Sequence, residues 1–116
     1  SNVAVGYNAG TDITSGVANV LLGKDAGENI NDGDYNIAVG HVALEAISNS
    51  NKNVAVGYAV LNSNTFGDSN VGMGDEALFT NTTGTNAVAI GRRALYSNVS
   101  GDNIVGIGFQ AFFKQW

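Results

Sequence analysis

A chain of 116 residues without cysteine or proline excludes a disulfide framework and a thiolate metal site. Its formal charge of −5, with Arg92-Arg93 as the one basic cluster, argues against nucleic acid as a partner, because phosphate binding needs clustered Lys and Arg. No apolar run approaches the ~20 residues of a membrane-spanning helix, so membrane insertion is not expected.

One period runs through the whole chain. Gly6, Gly23, Gly40, Gly57, Gly74, Gly91 and Gly108 stand 17 residues apart at every step. A fixed period of this length marks a repeat architecture. Each glycine closes a short apolar stretch, beginning with Val3-Ala4-Val5 and continuing with Val20-Leu21-Leu22, Ile37-Ala38-Val39, Val54-Ala55-Val56, Val71-Gly72-Met73, Val88-Ala89-Ile90 and Val105-Gly106-Ile107. The order large, small, large, with β-branched residues leading, predicts a strand with one core face. The large residues are expected inside. The small slot is expected outside, where it would let another surface approach closely.

Three residues after each glycine comes Ala9, Ala26, Ala43, Val60, Ala77, Ala94 or Ala111, and the next slot holds Gly10, Gly27, Leu44, Leu61, Leu78, Leu95 or Phe112. This reads as a second short strand or a tight corner. Three positions further, Ile13, Ile30 and Ile47 give way to Asn64, Asn81 and Asn98. The two coils without a residue larger than Gly in the Leu slot carry Ile here, so each coil is expected to keep its apolar volume. A turn follows at Gly16, Gly33, Ser50, Gly67, Gly84 and Gly101, where glycine predicts φ > 0. Asn2, Asn19, Asn36, Asn53 and Asn70 then precede the strands in register and are expected to stack as amide ladders.

A helical reading fails, because these slots are rich in Gly, Asn and β-branched residues and 17 residues are too few for two helices. The expected fold is all-β, a parallel β-solenoid or β-roll of seven 17-residue coils forming one domain over 1–116. No signal peptide opens the chain and Ser1 falls inside a repeat. It is therefore expected to be a piece of a longer fibrous protein or a filament subunit.

The Asn53-Val54-Ala55-Val56-Gly57-Tyr58 unit, with Ala-Leu after it and Asn81-Thr82-Thr83-Gly84, resembles repeats of phage tail-fibre and bacterial surface proteins. It is also similar to the head repeats of YadA-like trimeric autotransporter adhesins. That resemblance covers the whole chain and implies a left-handed roll, three chains about one axis, and an extracellular place on a cell surface or virion. Ala4, Ala38, Ala55 and Ala89 are then the expected oligomer face.

Other sites are weaker. His41, the single histidine, shares a varied slot with Tyr7, Lys24, Tyr58, Asp75, Arg92 and Phe109, so a catalytic role is not expected. Asp32-Gly33-Asp34 is explained by turn chemistry without calcium. Asn81-Thr82-Thr83 and Asn98-Val99-Ser100 fit the glycosylation pattern, but they occupy one repeating turn slot. Phe79, Tyr96 and Phe113 share one slot and should form an aromatic column, either packed against a neighbour or offered to a sugar ring or protein. No cofactor, metal or enzymatic activity is expected. The expected function is a structural or adhesive rod of an extracellular fibre, its partner further copies of itself and, for an adhesin, a host-surface glycan or protein. A filament stacked end to end is the alternative, and an ice- or glycan-binding solenoid a further one.

Overall fold

The computed structural model describes residues 1–112 and shows an all-β parallel solenoid. Its strands are β1 (Val3–Val5), β2 (Val20–Leu22), β3 (Ile37–Val39), β4 (Val54–Val56), β5 (Val71–Met73), β6 (Val88–Ile90) and β7 (Val105–Ile107). They form a single sheet in chain order, every neighbouring pair parallel. The register is 17 throughout, so Val3 pairs with Val20, Val54 with Val71 and Val88 with Val105. The body measures 38 × 21 × 15 Å.

Among the described residues no second strand forms after the glycine. The corner is built from left-handed residues instead. Three slots per coil have positive φ without being reserved for glycine: Asn8 to Gln110 two residues after the repeated glycine, Leu44 to Phe112 four after it, and Ala18 to Asn103 five before it. Left-handed backbone costs an L-residue roughly 1–2 kcal/mol. Here each inverted residue turns its amide along the rod. Val42 donates to the Lys24 carbonyl at 3.0 Å, Leu44 to that of Val60 at 3.0 Å, and Tyr35 to that of Val17 at 3.0 Å. The backbone groups of the corners are thereby paired between coils as in a sheet.

The repeated glycines combine φ between 111° and 135° with close stacking. A Cβ on Gly6 would lie 2.6 Å from the Gly23 carbonyl oxygen, and one on Gly23 would lie 2.8 Å from that of Gly40. The second glycine slot is different from expectation. Gly16, Gly33, Gly67, Gly84 and Gly101 do not have positive φ. They are small because the next coil is too close: a Cβ on Gly33 would lie 2.5 Å from the Ser50 carbonyl oxygen.

The strand faces the opposite way to the expectation. Its middle residue is the buried one: Leu21, Ala38, Ala55 and Ala89 have no exposure, whereas Val3, Val5, Ile37, Met73, Ile90, Val105 and Ile107 are exposed by 38% to 64%. The reason is space. Leu44, Leu61, Leu78 and Leu95 enter the core from the corner and fill it, leaving the strand room for Ala or Gly. A Cβ on Gly72 would lie 2.5 Å from a methyl of Val60, and one on Gly106 would lie 2.9 Å from Leu95. The coil whose corner holds Gly27 carries Leu21 in its strand, and the Leu21 methyls lie 2.7 Å from the missing Cβ atoms of both Gly27 and Gly10 of the neighbouring coil. The apolar volume is conserved, with Leu21 contributing alongside Ile13 and Ile30.

Two asparagine columns complete the interior. Asn19, Asn36, Asn53 and Asn70 each place Oδ1 on the backbone N–H one coil on, at 2.8 to 3.0 Å, and Nδ2 on the turn carbonyl. Asn64, Asn81 and Asn98 replace Ile13, Ile30 and Ile47, and link amide to amide at 2.9 Å. Among the described residues no buried side-chain polar atom lacks a partner.

Candidate interaction surfaces

Three surfaces carry the chemistry left outside the core. The first is the sheet itself. Two columns of aliphatic side chains, Val3 to Val105 and Val5 to Ile107, project from the seven parallel strands. Strands ~4.8 Å apart hold them in an array about 30 Å tall. These residues adjoin one another across seven paired strands, so the apolar surface is contiguous rather than scattered. Its position corrects the expected oligomer face. Ala38, Ala55 and Ala89 lie in the core with no exposure, and Ala4 occupies the same inward slot in the uncovered first coil. Ala38, Ala55 and Ala89 cannot touch another chain while the coil is folded, and Ala4 is exposed only where no coil covers it.

The face is bordered by two different edges. After each strand stands an outward ledge of Tyr7, Lys24, His41, Tyr58, Asp75, Arg92 and Phe109. His41 lies beside Tyr58, ring centroids 5.6 Å apart, and Arg92 pairs with Asp75 at 3.5 Å. Ahead of β3, β4 and β5 runs a groove of about 310 Å³, lined by Asp34, Tyr35, Asn51, Lys52, Asp68 and Ser69. Asp34, Asp68 and Asp102 use Oδ1 to accept the backbone N–H one coil earlier, from Val17, Asn51 and Thr85, at 2.7 to 2.8 Å. The Asp-Gly-Asp stretch is accounted for by this ladder and by Asp32, which accepts the Ser15 hydroxyl at 2.6 Å and that of Thr14 at 3.0 Å. Those hydroxyls hold the Asp32 carboxyl below its ordinary pKa.

The third surface is the aromatic column. Phe79 and Tyr96 stack in parallel, centroids 5.3 Å apart and planes 3° apart. The Arg93 guanidinium lies 5.4 Å from the Tyr96 centroid and pairs with Glu76 at 3.1 Å. The two rings turn faces toward each other, which reduces the area left for a sugar ring. Phe113 lies outside the described residues. The same slot carries Glu28 and Glu45 in earlier coils. Partial desolvation, then the charges of Asp25, Glu45 and Asp12, raise the Glu28 pKa.

His41 is an exposed ledge residue. Asn81 and Asn98 have no exposure and serve in the inner amide column, so neither glycosylation pattern is accessible in the folded chain. Among the described residues no group of three or more His, Cys, Asp or Glu is placed to hold a metal ion. Sequence reasoning missed the aliphatic face, although a signal existed: Leu21 is large in the strand of the coil whose corner holds Gly27. No family model, curated protein or solved structure matches the chain.

Proposed function

We propose that the chain is a stiff structural segment of an extracellular fibre, of the adhesin-head or tail-fibre-shaft kind, that assembles by burying its aliphatic sheet face against further copies of itself. The observation that carries this reading is the pair of outward Val/Ile/Leu/Met columns on a seven-stranded parallel sheet. Each fully buried aliphatic side chain contributes ~1.5–3 kcal/mol, so a face this size supports a stable interface. Three copies about one axis would cover all three faces at once. Coils of constant length, with no inserted loop, favour a rod over an enzyme.

Sedimentation velocity with electron microscopy tests the reading. The wild-type chain should sediment as a compact oligomer, and Val54→Lys with Val71→Lys should give a folded monomer. A wild-type chain that stays monomeric at ~100 μM, far above the Kd of ordinary stable interfaces, would overturn it. Long fibrils unaffected by the lysines would favour end-to-end stacking instead.

A further inference from the structure

We infer that the two edges of the aliphatic face form a charge code that sets the polarity and height of self-association, with a second copy lying parallel. This rests on the lateral assembly proposed above. On the ledge, Lys24, Tyr58 and Arg92 recur every 34 residues (24, 58, 92). In the slot before the strand, Asp34, Asp68 and Asp102 recur with the same spacing (34, 68, 102), the first two lining the groove. Each donor precedes its acceptor by ten residues, the path from the ledge of one coil to the groove of the next. The alternate coils lack this pair: the ledge carries His41 and Asp75, the slot before the strand carries Asn51 and Thr85, and the Thr85 hydroxyl is given to Asp102 at 3.1 Å.

Within one chain these partners flank the strand face on opposite sides. The ion pairs seen among the described residues are Lys24–Asp25, Arg92–Asp75 and Arg93–Glu76, and none joins ledge to groove. Each of the three aspartates spends one oxygen on its ladder bond, and a carboxylate has a second with which to accept. A parallel neighbour related by rotation about the rod axis sets its ledge against the groove at nearly equal height. Ledge and next-coil groove differ by less than the ~4.8 Å coil spacing. Lys24 then meets Asp34, the Tyr58 hydroxyl meets Asp68, and Arg92 meets Asp102. An antiparallel pair centred on β4 fails on both edges, because it sets Lys24 against Arg92 and Asp34 against Asp68. Like charges at an interface reject a wrong partner.

The test uses Lys24→Glu with Arg92→Glu, which alters two exposed ledge residues that take no part in the core or ladders. The concentration at half-assembly should rise at least tenfold, and wild-type assembly should weaken with salt while the variant's should not. A second measurement does not depend on charge. The chain has no cysteine, so Lys24→Cys with Asp34→Cys, joined by a short bismaleimide, should link copies covalently, and each single variant should not. Tyr58→Cys alone should give no linked dimer, whereas the antiparallel pair would give one. A wild-type oligomer indifferent to Lys24→Glu/Arg92→Glu, or a Tyr58→Cys dimer, overturns the charge code and leaves lateral assembly standing. A monomeric wild type removes both.

Discussion

Asn81 donates its side-chain amide to Oδ1 of Asn64 at 2.9 Å, one coil away, and neither residue has any exposed surface. The same Asn81 accepts from Asn98 at 2.9 Å and donates to the Gly84 carbonyl at 3.1 Å. Removing the middle rung leaves Asn64 and Asn98 each short of a partner in the core. Asn81→Ala should therefore cost about 2–4 kcal/mol, one desolvated group on either side. Replacing all three asparagines by isoleucine restores the chemistry of Ile30 and Ile47 and should cost less than that single change. Urea unfolding of both variants decides this. A triple variant three times as destabilised as the single one would show that the column is not acting as a unit.

Ala55 and Val54 make an opposite pair. Ala55→Arg puts a charge into the closed core and should abolish folding, since an unpaired buried cation costs several kcal/mol. Val54→Arg changes an outward side chain and should leave the circular dichroism and thermal midpoint of the monomer within about 0.5 kcal/mol of the parent. A folded Ala55→Arg chain would contradict the direction of the strand.

Gly23 and Gly108 separate the two reasons for glycine. Both have positive φ, at 131° and 119°. A Cβ on Gly23 meets the Gly40 carbonyl, while one on Gly108 meets nothing within 4 Å. Gly108→Ala should cost only backbone strain, about 1–3 kcal/mol. Gly23→Ala adds separation of the coils and should cost visibly more. Equal thermal shifts for the two would mean that conformation alone selects the glycine.

Asp32 predicts a pH dependence. Its carboxylate accepts the Ser15 and Thr14 hydroxyls and its pKa lies below the ordinary value. The folded state favours the ionised form, so the stabilisation is complete above the ordinary carboxylate pKa and fades as pH falls through the lowered folded pKa. Asp32→Ala should be less stable than the parent at neutral pH. The gap should close below about pH 4, the ordinary aspartate range. A gap unchanged at low pH would assign the effect to packing.

The period made the winding legible. Residues 17 apart are vertical neighbours, as the Val54–Val71 register shows, because identical units relieve their exposed faces by stacking on one another. The sense of the strand was not legible from alternation. A three-residue strand offers one small and two large residues, and period two says only that they point apart. What decides is the corner, where Leu44 to Leu95 adopt φ near 50° and turn inward. Propensity gives no warning of left-handed leucine. The outward aliphatic face was hidden for the same reason, since an inverted strand exchanges the core face with the outer one. The Asn columns were legible because an amide in a fixed slot of a repeat has a like amide above and below it.

The hydrogen bonds that join one coil to the next lie along the rod, from the strand amides to those of the corners. Tension applied at the two ends of a single chain therefore loads them in series, and the weakest coil gives way alone. Each release frees 17 residues, or about 56–61 Å of extended chain at ~3.3–3.6 Å per residue. A lone strand of this material would pay out under load in equal steps, as a ratchet does. Copies bound side by side along the sheet would have to let go together, so a bundle would resist a pull that a single chain could not.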